Sequence, residues 1–323
     1  MSEGFAMIPL LLEPTLYTRV WGGRELETRL GKHLPDAEPY GESWEIYWKN
    51  RVLNGPGRGR TLGDLIAADP RAMVGTDKAD PEYPLLVKFI DAQDWLSVQV
   101  HPDDVQAAKL EGQPRGKTEC WYIIDAKPGA QLAYGLSEAV DAPTFKAALS
   151  GGGQVKRLLQ FVNVAPGDFV FVPAGTLHAI GPGVLIYELQ QTSDTTYRVY
   201  DWDRPGLDGK PRELHVEKSL AVMSFAARPM AKVNYDRSAA SALLAENRYF
   251  TLKKLQGEKN LALAATTGRP TATLISVIRG EVTLHGDHQP VRMSLGNSAF
   301  IPAALARESL DLHGEVLVAW SML

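Results

Sequence analysis

Short apolar runs rich in β-branched and aromatic residues, each stopped by glycine, proline or aspartate, recur along the chain: "YPLLVKFI", "WLSVQV", "CWYIID", "DFVFVP", "GVLIYEL", "TLISVIRG" and "VLVAW". That spacing predicts antiparallel strands forming a β sandwich or barrel. Helical patterns are fewer. "TLGDLIAADP" stops at a proline, "DVQAAKLEG" stops at a glycine, and "DAPTFKAALSGGG" offers Asp141 as an N-cap, Pro143 early in the helix and a glycine stop. The last of these predicts a small helical insertion around 138–160. The longest uncharged run, "FVFVPAGTLHAIGPGVLIY", approaches membrane-spanning length, but its prolines, glycines and histidine suit two short strands joined by turns, not a lipid-facing helix.

One strand carries polar residues that its neighbours lack. In "SVQVHPDD", Ser97 to Asp104, Val98 and Val100 share one face while Gln99 and His101 share the other. A hydrated outer face would look like this, and so would a pair of metal ligands or substrate contacts. Glu119 in "GKTECWYI" and His178 in "VPAGTLHAI" also have ordinary readings, as an edge charge and a turn residue. Taken together, two imidazoles, a carboxylate and an amide oxygen from three segments suit a divalent transition metal with coordination positions left open. Pro173 and Gly175 supply a tight turn just before the second histidine. The same donors serve hydrolytic or isomerising zinc and oxygen-activating iron alike.

"GDFVFVPAGTLH" at 167–178 and "GNSAFIPAALAR" at 296–307 repeat glycine, phenylalanine, proline and alanine in register, which points to two related β modules. Arg307 in the second copy stands where the first has His178, so the chemistry is expected in the first module alone. A chain of 323 residues can hold both. The expected division is 1–235, with the helical insertion, and 236–323.

Composition narrows the function. The single cysteine, Cys120, excludes an intramolecular disulfide and suits a reducing compartment. The opening "MSEGFAMIPLLLEP" has no basic leader, and Pro9 and Glu13 interrupt its apolar run, so it does not read as a signal peptide. A cytoplasmic protein without a membrane partner is expected. A net charge of −4 with no long lysine and arginine run gives no footprint for nucleic acid. An anionic ligand would then need specific local cations. His215, His285 and His288 read as surface residues, and Trp21, Trp44 and Trp121 as core or pocket wall.

The runs "YPLLVKFIDAQDWLSVQVHPDD", "GKTECWYI" and "FVPAGTLHAIGPGVLIYELQQTSDTTYRVYDWDR", with the earlier "RVWGG" and "GESWEI", resemble the type I phosphomannose isomerases in their short bacterial form. The resemblance runs from about residue 16 to 225, and beyond 230 it rests mainly on the degenerate second module. It implies a mainly β, double cupin fold and a zinc-dependent interconversion of mannose 6-phosphate and fructose 6-phosphate through an enediol. By position, the family's zinc ligands fall on Gln99, His101, Glu119 and His178, with one Zn2+ per chain. Its active-site lysine falls on Lys117, its arginine on Arg198 and a nearby aspartate on Asp194 in "SDTTYR". Long members carry a histidine just before that lysine, where this chain has Gly116. The partner implied is a phosphorylated hexose, with the oligomeric state left open. Two other classes compete: a cupin oxygenase with iron on the same histidines, which gives Gln99 no task, and a non-catalytic sugar-binding cupin, against which the intact ligand set argues.

Overall fold

Alternation along the strands decides which surfaces meet in this protein. A computed structural model describes residues 7–78, 80–151, 153–227 and 232–322. The strands Thr15–Gly23, Tyr40–Ile46, Leu85–Ala92, Val184–Gln191, Glu119–Ala126 and Phe169–Val172 lie in that order in one antiparallel sheet. A second sheet runs Tyr197–Tyr200, Val98–Val100, His178–Ile180, Gln131–Leu136 and Leu159–Asn163. Inward residues of the two sheets, among them Ile90, Trp121, Ile123, Ile186, Leu132 and Ile180, pack together as the core of the first module.

The outward residues of both sheets are buried too, each against a different cover. From the first sheet, Phe89, Cys120, Tyr187 and Leu189 pack onto Phe250, Leu274, Phe300 and Leu317 of the second module. From the second sheet, Val98, Val100, Ala179 and Val199 pack beneath Phe145, Val155 and Val222. Phe145 belongs to the helix Ala142–Ser150, whose Thr144 N–H donates to the Asp141 carboxylate at 2.8 Å, so the helical insertion exists and its cap is the expected one. It roofs the sheet that carries Gln99.

The second module is one sheet, ordered Ser298–Ile301, Thr273–Gly286, Ser309–Ser321, Phe250–Ala262 and Ser241–Glu246, with His288–Ser294 paired to Thr273–Gly286 and Leu10–Leu11, from the 1–235 segment, added on the edge beside Ser298–Ile301. Its neighbouring strands Thr273–Gly286 and Ser309–Ser321 meet at Gly280 and Gly314, which face each other in register at φ of 72° and 151°. A Cβ at either would stand 2.1 Å from the opposite backbone, so glycine is required for that approach. Its interior is apolar, built from residues such as Ile275, Val282, Leu284, Met293, Leu312 and Val316. Two such modules make the expected double cupin.

Three expectations need correction. The uncharged run 169–187 forms three strands, because the brief His178–Ile180 crosses into the other sheet. His288 is not a surface residue: its side chain is 4 % exposed and its Nε2 lies 2.6 Å from Glu308 Oε1. His215 and His285 are half-buried. Residues 1–6, which opened the leader argument, lie outside the described residues. Among the described residues no helix is long and apolar enough to cross a membrane.

Candidate active site

The crossing of His178–Ile180 into the second sheet builds the site. There His178 pairs directly with Gln99, and Gln99 pairs on its other side with Arg198. Because Val98 and Val100 face the helical roof, Gln99 faces the cavity between the sheets. Gly175, at φ 79°, turns the chain into this strand and donates its N–H to the His101 carbonyl at 2.9 Å. Glu119 begins the facing strand Glu119–Ala126.

His101, Glu119 and His178 are each at most 1 % exposed, and their ligand atoms lie within 4.8 Å of one another. His178 Nε2 is 3.2 Å from Glu119 Oε1 and His101 Nε2 is 3.7 Å from Glu119 Oε2. Each imidazole is anchored through Nδ1, His101 at 2.9 Å from the Thr195 carbonyl and His178 at 2.8 Å from the Thr176 carbonyl. Donation from Nδ1 leaves Nε2 as a lone pair turned toward the carboxylate, the tautomer a metal requires. His101 Nε2 and Glu119 Oε1 are buried without a hydrogen-bond partner, which is costly unless something else satisfies them. The Gln99 amide completes the ring, its Nε2 3.3 Å from His178 Nε2. This donor set fits a divalent transition metal.

Charge keeps the donors in their binding forms. Burial, reinforced by Lys117, pushes the His101 pKa well below the usual histidine range, so the ring is neutral. Burial alone would raise the Glu119 carboxyl, but the group is held well below the usual range, with the Lys117 ammonium as the largest lowering cause. Lys117 Nζ sits 2.9 Å from Glu119 Oε2. Burial opposes its charge as well, yet Glu119 and Glu188 prevail and its pKa is raised.

A cavity of about 670 Å³ opens beside these groups, lined among others by Arg19, Lys88, Lys117, Arg198 and Arg212. Most of these cations are already paired: Arg19 with Glu42 at 2.6 Å, Lys88 with Glu188 at 3.2 Å, Lys117 with Glu119, and Arg212 with Asp201 at 2.5 Å. Arg198 differs. Its Nη1 donates to the Glu213 carbonyl at 2.8 Å, its Nε is buried without a partner, and among the described residues no carboxylate pairs with it. His215, expected at the surface, braces this residue: its Nδ1 accepts the Arg198 backbone N–H at 3.2 Å. Asp194 lines the cavity from an exposed position.

Trp21, Trp44 and Trp121 are buried, and the first two line the cavity. The ladder Glu42, Lys88 and Glu188 escaped the sequence reading. Trp44 Nε1 donates to Glu42 at 2.7 Å and Trp121 Nε1 to Glu188 at 3.0 Å, while Lys88 lies 4.6 Å over the Trp44 ring. The available signal was a charged residue inside an otherwise apolar run: Lys88 in "YPLLVKFI", Glu188 in "GVLIYEL" and Glu42 in "GESWEI". Arg307, aligned with His178, is exposed beside the short turn Ala303–Leu305. Among the described residues the second module gathers no metal-type cluster, and its apolar interior, not the charge on Arg307, is the physical reason.

Two imidazoles and a carboxylate buried in the first barrel of a double cupin, under a cavity lined with cations and carboxylates, make a cupin with a candidate metal site. Known proteins narrow the class further. A model of the phosphomannose isomerase type I catalytic domain matches residues 10–129. The chain is 35 % identical over 319 residues to a mannose-6-phosphate isomerase of Streptococcus mutans, covering 97 % of this chain and 98 % of that one. It is 36 % identical over 319 residues to the mannose-6-phosphate isomerase ManA of Bacillus subtilis, with 96 % and 98 % covered. The crystal structure of the mannose 6-phosphate isomerase from Bacillus subtilis matches with a TM-score of 0.84 at 33 % identity, over 96 % of this chain and 99 % of that one. The chain belongs to the type I phosphomannose isomerase family, and it is an isomerase.

Proposed function

We propose that this protein interconverts mannose 6-phosphate and fructose 6-phosphate through an enediol, with one zinc ion held by Gln99, His101, Glu119 and His178. The observation that carries the reading is the convergence of two imidazole Nε2 atoms and a carboxylate, partly unpartnered, beside a cavity that also presents Arg198 without a counter-ion. When bound, zinc supplies Lewis-acid polarisation of the sugar oxygens. With Glu119 as the sole anionic ligand, the centre keeps net positive charge for a developing enediolate.

The reaction moves a proton from C2 to C1 and needs a base that can take it. Glu42 is a poor candidate, because Lys88 and Arg19 overcome its burial and hold it at about 2. Glu188 lines the same cavity, its Oε1 making no hydrogen bond and facing Lys88 Nζ at 3.2 Å, and we assign it the proton. Lys117, with its raised pKa, stays an ammonium and acts as a fixed charge toward the enediolate. Arg198 offers a planar fork of donors to the same oxyanion, and Asp194 takes the acidic position at the exposed mouth.

Incubating the purified protein with mannose 6-phosphate under nitrogen and following the sugars by NMR tests this. Fructose 6-phosphate should appear without dioxygen. Product that forms only in air, with oxygen consumed, would favour an iron oxygenase, and no product at all a binding protein.

A further inference from the structure

The Asp104 carboxylate joins the two modules behind the site. Asp104 opens the helix Asp104–Glu111, three residues after His101. Its Oδ1 accepts the Gly116 backbone N–H at 2.9 Å and the Gln191 side-chain N–H at 2.9 Å. Gln191 in turn accepts the Thr118 N–H at 2.9 Å through its own side-chain oxygen. Lys117 is thereby fixed from both neighbouring peptides, and its own N–H donates to the Pro102 carbonyl at 3.0 Å.

The other oxygen of Asp104 faces the second module. Tyr249 donates its hydroxyl to Oδ2 at 3.1 Å, and Arg248 stands 3.7 Å from the same atom. Tyr249 is 6 % exposed and is itself held, its N–H bonded to Asn247 Oδ1 at 2.8 Å and its carbonyl to the Met322 N–H at 2.9 Å. Gly116 makes the junction tight. A Cβ there would lie 2.4 Å from the Pro102 carbonyl oxygen and the Asp103 carbonyl carbon, so any side chain at 116 would push the segment off Asp104. The fit of Gly116 against 102–103 thus accounts for this chain having no side chain just before the lysine.

We propose that Asp104, held by Tyr249 of the second module, is a positioning residue that fixes Lys117 against the sugar, giving the second module a part in catalysis. The proposal rests on the reading of Lys117 above. A displaced backbone at 116–118 would swing the Lys117 side chain, and supporting groups one step behind an active centre cost about 10- to 100-fold when lost.

Tyr249→Phe, Asp104→Ala and Asp104→Asn test it, read by kcat and KM on mannose 6-phosphate, by zinc content, and by amide exchange of the segment 114–119. Tyr249→Phe removes one oxygen and should lower kcat about 10-fold, with KM within about twofold and zinc content unchanged. Asp104→Ala should lose at least as much, while Asp104→Asn keeps an acceptor for Gly116 and Gln191, turns its amide N–H toward the Tyr249 oxygen to preserve that link, and should recover most of the rate. Exchange at 114–119 should quicken in the first two variants only. Wild-type kcat and exchange in Tyr249→Phe would overturn the proposal, as would an Asp104→Asn enzyme no better than Asp104→Ala. A wild-type protein without isomerase activity would instead refute the functional reading, and the exchange data would still decide whether Asp104 and Tyr249 position the segment.

Discussion

Replacing Arg198 by alanine should separate catalysis from stability. In the fold the guanidinium gains one hydrogen bond, to the Glu213 carbonyl at 2.8 Å, and leaves Nε buried without a partner. A hydrogen bond from a charged donor contributes about 1.5–3 kcal/mol, and an unsatisfied buried N–H costs about 1–3 kcal/mol, so the two nearly cancel. The melting temperature should therefore move by no more than about 3 °C. Activity should behave differently. Losing one preorganised donor to an oxyanion costs about 10²- to 10³-fold in kcat, or about 2.7–4 kcal/mol. Arg198→Lys should recover only part of this, since a point charge replaces a fork. Steady-state kinetics on mannose 6-phosphate, beside a thermal melt, decides the matter. Wild-type kcat with a much larger KM would mean that Arg198 grips the phosphate, which ground state and transition state carry alike. A fall in melting temperature that tracks the loss of activity would make its role structural.

His178→Ala should weaken zinc binding more than Gln99→Ala, because imidazole is a stronger donor than an amide oxygen; competition titration with a chelating dye ranks them, and the reverse order would contradict the ligand assignment. Lys88→Met should destabilise the protein by about 3 kcal/mol, because it leaves Glu188, 3.2 Å away and 3 % exposed, buried without its ion-pair partner; an unchanged urea midpoint would refute this. Glu42 sits at about 2 in the fold against an ordinary 4.5, so its contribution is present above pH 4.5 and is lost as the pH falls through about 2. The gap in unfolding free energy between wild type and Glu42→Gln should accordingly shrink by on the order of 3 kcal/mol between pH 5 and pH 2, and a gap independent of pH would show that Glu42 is not held by its cations.

The strands with one clean apolar face were legible from the sequence even where the other face carries a charge of the cavity, and a strand with two charges was less so. "YPLLVKFI", "CWYIID" and "GVLIYEL" became the strands Leu85–Ala92, Glu119–Ala126 and Val184–Gln191 because their outward faces bury against the second module. The strand Tyr40–Ile46 is buried throughout, yet "YGESWEI" holds two glutamates that only partners distant in sequence can satisfy: Arg19 and Lys88 for Glu42, Lys32 for Glu45. The face shared by Gln99 and His101 could be read from parity, and Glu119 and His178 could be grouped with them by chemistry. What no local pattern encodes is the crossing of His178–Ile180 between sheets, which sets His178 against Gln99. His288 was misread for a similar reason, since its partner Glu308 reaches it only through the fold.

The central claim is tested most directly by metal titration of one enzyme preparation. The protein should be chelated, shown by elemental analysis to be metal-free, and assayed for mannose 6-phosphate isomerisation as zinc is restored. Turnover should vanish on chelation while near-ultraviolet circular dichroism stays close to that of the loaded protein, because the cores of both modules are apolar and do not depend on the ion. It should return in full at one equivalent of zinc per chain. Full activity in verified metal-free protein, or a requirement for two equivalents, would contradict the account.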